Sequence, residues 1–110
     1  MTNINTAILK GTVSGVRRTE YPSGTSALLI DLGSDGRTVP VTLVDPSAEQ
    51  AGLVVEGAEL LVIGFVARRF FRLAGATQSR TEVVADVVIP LRRVDEVEAA
   101  VRRVVEMLLA

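Results

Sequence analysis

The order of hydropathy patterns along this 110-residue chain predicts an all-β protein: a five-stranded closed barrel with a short helix between strands three and four, then a C-terminal amphipathic helix. Three observations carry that reading. Five segments rich in Val, Ile, Leu and Thr are separated by turn signals, and several of them alternate apolar and polar with period two. Glycines interrupt the first and fourth segments, as the bends of a small barrel require. The period becomes helical after Asp45-Pro46 and again after Arg93.

Strand one is read over Thr6 to Arg18, with Gly11 and Gly15 inside it, and Tyr21-Pro22-Ser23-Gly24 is the turn that follows. Strand two runs from Ser26 to Leu32, with Leu28, Ile30 and Leu32 on one face and Ala27, Leu29 and Asp31 on the other. Gly33-Ser34-Asp35-Gly36 is a short hairpin loop. Strand three, Thr38 to Val44, places Val39, Val41 and Leu43 together; Pro40, on the other parity, lacks an amide hydrogen and favours an edge or a bulge. Asp45 as N-cap and Pro46 at the first helical position start a short helix over Ser47 to Val54, with Gly57 just beyond.

Strand four is the longest, Glu59 to Leu73. Leu60, Val62, Gly64 and Val66 share one parity; Leu61, Ile63, Phe65, Ala67, Arg69 and Phe71 share the other. Both parities are apolar early in the strand, so both faces must be covered, one of them by the barrel core. Gly75-Ala76 begins a turn and Arg80 to Leu91 is strand five. From Val94 to Ala110 the residues Val94, Val97, Val101, Val104 and Leu108 recur at helical spacing as one apolar stripe. Three antiparallel strands, a helix and two more strands is the order of an oligonucleotide-binding (OB) barrel. Residues 1–91 form this domain and residues 92–110 the terminal helix.

Composition narrows the chemistry. The chain has no cysteine and no histidine, so it holds no disulfide, thiol nucleophile, imidazole base or zinc site of the usual kind. Its acidic residues are scattered and Gly33 to Gly36 lacks the Lys-Ser/Thr and following helix of a phosphate loop. No enzyme, cofactor or metal is expected. Twelve basic residues face thirteen acidic ones, so any polyanion partner needs segregated charge. The longest apolar run, Leu60 to Ala67, is far short of the roughly 20 residues of a membrane span. Met1 to Lys10 lacks the basic start and apolar stretch of a signal peptide, and the expectation is a cytoplasmic protein without a membrane partner.

Four segments, in order, resemble the bacterial single-stranded DNA-binding protein family. They are Ile8-Leu9-Lys10-Gly11; Tyr21-Pro22-Ser23-Gly24-Thr25 with Ser26-Ala27-Leu28-Leu29; Glu56-Gly57-Ala58-Glu59-Leu60-Leu61-Val62-Ile63-Gly64; and Thr81-Glu82-Val83-Val84-Ala85-Asp86. The resemblance covers roughly residues 4 to 90. It implies an OB barrel that binds single-stranded DNA in replication, repair or recombination, with replication or repair proteins as further partners. The chain departs from the family in having no tryptophan, a short loop at Gly33 to Arg37 and no acidic C-terminal tip.

Single-strand binding needs cations along the backbone and flat side chains for the bases. Arg68-Arg69-Phe70-Phe71-Arg72 offers both. Alternation puts Arg69 and Phe71 on one face, which the resemblance makes the DNA side; Arg68, Phe70 and Arg72 go to the other, where Phe70 would fill the barrel. Arg17 and Arg18 form a second cationic cluster near a turn, and Arg37, Lys10 and Arg80 are further candidates. Arg92-Arg93 and Arg102-Arg103 are balanced by neighbouring acids and read as a solvated helix face. The outward set Leu61, Ile63 and Phe65, and the stripe Val97, Val101, Val104 and Leu108, predict an interface in a homo-oligomer, tetramer ahead of dimer. An alternative is that the stripe packs on strand four within one chain. The rival function is an OB-type protein-interaction module that has lost DNA binding.

Overall fold

A computed structural model of the chain describes residues 3–110. Met1 and Thr2, which begin the 1–91 unit and the Met1 to Lys10 segment, lie outside the described residues. The elements are β1 (Ala7–Glu20), β2 (Ser26–Ser34), β3 (Arg37–Val44), α1 (Ala48–Leu53), β4 (Glu59–Leu73), β5 (Ala76–Pro90) and α2 (Val94–Leu109). The strands make one closed sheet in the order β1-β2-β3-β5-β4, with β4 returning to β1. Every pairing is antiparallel except β3 with β5.

Closure depends on long strands that serve two neighbours. β1 pairs with β4 through Ala7–Thr12 and with β2 through Thr12–Glu20, and the irregularity at Val13/Gly15 lies just past that change of partner. A Cβ on Gly11 would meet the Gly33 carbonyl oxygen, so only glycine allows the two strands to approach there. β1 runs two residues beyond its expected end, to Glu20, so Arg17 and Arg18 lie within paired strand and not at its end. The interior is filled by Val13, Leu28, Ile30, Leu32, Val41, Leu43, Leu60, Val62, Val83, Ala85 and Val88, with Val54 after α1 closing one end. The inward sets read for strands two and three are all found in or against this core.

The start of α1 differs from expectation. Ser47, and not Asp45, is the N-cap: its Oγ accepts from Gln50 N at 3.1 Å, and Gln50 Oε1 accepts from Ser47 N at 2.9 Å. Asp45 has a positive φ of 48° and belongs to the turn before the helix. The reciprocal Ser-x-x-Gln box satisfies two backbone donors, which a single Asp cap would not.

β5 starts at Ala76, four residues earlier than expected. β4 and β5 pair to the tip, Leu73 with Ala76, around a two-residue turn at Ala74-Gly75 in which both φ values are positive. The polar stretch Ala76–Ser79 resembles a loop because neither face of this ribbon is buried and no alternation marks it. Beyond Glu82 the ribbon has no third strand: β1 leaves β4 at Gly64 and β3 touches β5 only at Val83 and Val84. Two expectations for strand four are corrected for this reason. Val66 and Phe70, expected inside, are exposed, Phe70 at 66%. Asn5 partly caps the open edge, donating to Val66 O at 2.8 Å and accepting from Val66 N at 3.0 Å.

The outward face of β4 is covered by the chain's own α2. Leu61 and Ile63 join Ile89, Ala100 and Val104 in a second buried cluster, flanked by Val97 and Val101. This corrects the interface reading: Leu61, Ile63 and Val104 are consumed within one chain and present nothing to a partner. Ala100 is the most buried residue of α2, and the ends of the predicted stripe, Val94 and Leu108, are exposed. Contact falls on Val97, Ala100, Val101 and Val104 because the helix crosses the sheet only at its middle turns. Phe65 lies beyond the covered part of β4 and is also exposed.

A register shift at Ile63/Gly64 leaves Asp86 as an extra residue in β5. There a Cβ on Gly64 would collide with the Val84 carbonyl. Gly64→Ala is expected to destabilise the fold by about 1–3 kcal/mol, the usual penalty of forced overpacking. Urea denaturation followed by circular dichroism measures it, and an unchanged midpoint would refute the close approach.

Candidate nucleic-acid interface

The outer faces of β1, β2 and the β4–β5 ribbon enclose a cleft of about 390 Å³ lined by Arg17, Arg18, Thr19, Leu29, Arg69, Phe71 and Arg80. Five of these seven are residues singled out in the sequence, drawn from β1, β4 and β5. The cleft continues past Arg17, Leu29 and Arg80 to Gly15, Val16 and Asp31. Arg69 and Phe71 share a face by strand alternation, and Arg80 stands directly across from Arg69 in the ribbon. Phe71 is 37% exposed, so its ring is accessible while partly held.

Like charges directly opposite one another repel. Here each arginine of that pair has its own carboxylate. Arg80 Nη2 lies 3.8 Å from Asp31 Oδ1 on β2, and Arg69 Nε lies 3.2 Å from Glu82 Oε1. Glu82 is 5% exposed and accepts a hydrogen bond from the Thr42 hydroxyl on β3. Arg69 Nη1 also donates to the Tyr21 hydroxyl at 3.4 Å, just past the end of β1. The Arg69 Nε–H is buried and off the axis of a hydrogen bond, so its attraction to Glu82 is Coulombic. A buried carboxylate is stabilised only by such close counter-charge and donors.

The remaining candidates lie elsewhere. Arg68 and Arg72 are on the ribbon's opposite face, and Arg72 Nη2 donates to the Gly75 carbonyl at 2.8 Å, bracing the turn. Arg37 sits at the β2–β3 turn beside Asp35, 3.5 Å away and largely in solvent. Lys10 pairs across to Leu61 on the β1–β4 side, away from the cleft. Arg18 donates to Ser26 Oγ at 3.3 Å at the cleft rim. Arg93 is paired with Glu49 and Glu96, each at 3.7 Å, in keeping with a solvated helix start.

Sequence reasoning missed Tyr21, Thr42 and Glu82 as parts of this site. The signal for Thr42 and Glu82 was a polar residue on an outward parity within an apolar strand. What the sequence withholds is that β3 and β5 are neighbours. Among the described residues there is no group of three or more metal-ligating side chains, and no helix is long and apolar enough to cross a membrane. No protein-family model and no curated protein matches this chain.

Thr42→Val keeps the shape of the side chain and removes the donor to Glu82. The variant is expected to lose about 1–3 kcal/mol of stability, the cost of an under-satisfied buried acceptor. Guanidinium denaturation tests this, and unaltered stability would show that Glu82 does not depend on Thr42.

Proposed function

We propose that this chain is a non-enzymatic single-stranded DNA-binding protein built on an OB-type barrel. The observation that carries the reading is the cleft in which Arg17, Arg18, Arg69 and Arg80 surround the exposed ring of Phe71. The OB reading is supported by the strand order β1-β2-β3-β5-β4, the single parallel pair, and a helix between β3 and β4. A duplex keeps its bases stacked inside, whereas a single strand brings a base face to Phe71 and phosphates to the arginines. Four arginines face two carboxylates here, Asp31 and Glu82, so the cleft is cationic although the whole chain has a net charge of -1. The same proposal places the protein in the cytoplasm, on single strands exposed during replication, repair or recombination, with proteins of those processes as partners.

Phe71→Ala is expected to weaken binding of labelled oligo-dT by about 1–3 kcal/mol, one stacked base. Titration at two salt concentrations should show affinity falling with salt, with a log–log slope near 0.7 per phosphate contacted. Undiminished affinity in the variant removes the stacking role.

We also propose self-association, through a surface shifted from the one the sequence suggested. The last turn of α2 overshoots the sheet, and Val105, Met107, Leu108 and Leu109 are exposed there; Met107 and Leu108 line a cavity with Ile4. Met107 also lines an adjoining cavity with Phe65 and Val87. The chain exposes 7098 Å², against about 5900 Å² for a compact monomer of its mass. The ribbon accounts for part of that excess, and a standard interface would cover about 800 Å² per partner. The same apolar face favours the second reading, a protein-interaction module. Met107→Asp with Leu108→Asp should convert the oligomer to monomers in light scattering, with tetramer ahead of dimer for the wild type. A wild type that is monomeric at micromolar concentration refutes the proposal.

A further inference from the structure

Within the cleft, Arg69 is held differently from a phosphate clamp. Arginine grips phosphate through a planar fork of two N–H groups. The side-on fork needs Nε, which is buried and faces Glu82 Oε1 at 3.2 Å. Nη1 already donates to the Tyr21 hydroxyl at 3.4 Å. Glu82 is in turn fixed by the Thr42 hydroxyl. The side chain remains 31% exposed and lines the cleft beside Phe71. With Nε buried against Glu82 and one Nη1 N–H given to Tyr21, the side-on fork is closed to a phosphate and the plane is fixed. Nη2 has no protein bond among the described residues, and the flat face is left to offer, a plane that stacks on an unpaired base.

We infer that Arg69 is a base-stacking platform paired with Phe71, and that Glu82 is the positioning residue that keeps its guanidinium in that plane. The inference rests on the cleft being the single-strand site and assigns it a ligand chemistry: two nucleobase faces, with the phosphates left to Arg17, Arg18 and Arg80. Residues two apart on one strand face are about 7 Å apart, twice the 3.4 Å rise of stacked DNA. A strand seated on both platforms has its two bases parted from each other and each stacked on protein. The chain lacks tryptophan altogether, and an arginine plane supplies a second flat surface beside Phe71, the aromatic that lines the cleft.

The test compares Arg69→Lys, Arg69→Ala and Glu82→Gln in the full chain, on labelled oligo-dT and on an abasic strand of the same length, across a salt series. Lysine keeps the charge and loses the plane. Arg69→Lys is expected to bind oligo-dT roughly 5- to 150-fold more weakly, the equivalent of one stacked base, with an unchanged salt slope and wild-type affinity for the abasic strand. Glu82→Gln frees the guanidinium for a phosphate and should steepen the slope by about 0.7. If Arg69→Lys binds like wild type while Arg69→Ala has a shallower slope, Arg69 is a phosphate clamp and the inference is overturned. An unchanged slope in a folded Glu82→Gln protein overturns the positioning role. Should that variant fail to fold, the lysine and abasic comparisons still decide. Wild type that binds neither strand overturns the single-strand reading itself, a result distinct from normal oligo-dT binding by Arg69→Lys.

Discussion

The approach of two backbones at Gly64 is the constraint on which the rest of the molecule depends. The Val84 carbonyl of β5 occupies the space that any side chain at Gly64 would need, and β5 accommodates the crossing with one extra residue, Asp86. On one side of this point β4 is buried on both faces, by the interior and by α2. On the other side it leaves β1 and continues with β5 alone. One strand thus belongs to the core at its start and to the cleft at its end. Residue size at a single position separates the two roles.

Much of this was legible in the chain. Alternation in Leu28, Ile30, Leu32 and in Val41 and Leu43 identified inward residues because the interior imposes a period of two. The stripe Val97, Val101 and Val104 identified the packed face of α2 for the corresponding reason. Legibility ended where burial ended. The ribbon from Ala76 to Ser79 is held by backbone pairing that leaves no trace in side-chain pattern, and Val66 and Phe70 kept an inward parity after the interior had run out. Ala100 escaped notice because a small side chain allows the closest helix approach while contributing least to an apolar stripe. The site was half visible: its arginines and Phe71 cluster in sequence, whereas Tyr21, Thr42 and Glu82 reach Arg69 only through the order of the strands.

Charge is separated in space where it is balanced in sum. From Arg68 to Thr81 the ribbon has four arginines and no acidic residue. Its two edges are open, and open edges invite pairing with other chains. Arginines on both faces oppose such pairing between like-charged copies, so the distribution that makes the cleft cationic also protects an unfinished piece of sheet. Of the two carboxylates paired with cleft arginines, Glu82 is buried beneath Arg69 and set against it.

The seam between β3 and β5 has its own consequence. Among the described residues it is the only parallel junction, and it rests on two residue pairs, Val41 with Val83 and Thr42 with Val84. Every other junction has six or more. A junction with few backbone links is less protected against local opening, so this seam is where native-state opening is expected first. The Thr42–Glu82 bond spans it. Each time the seam parts, Glu82 loses its donor from β3 and its hold on Arg69 is loosened, so the lifetime of the shut sheet is also the lifetime of the cleft's geometry.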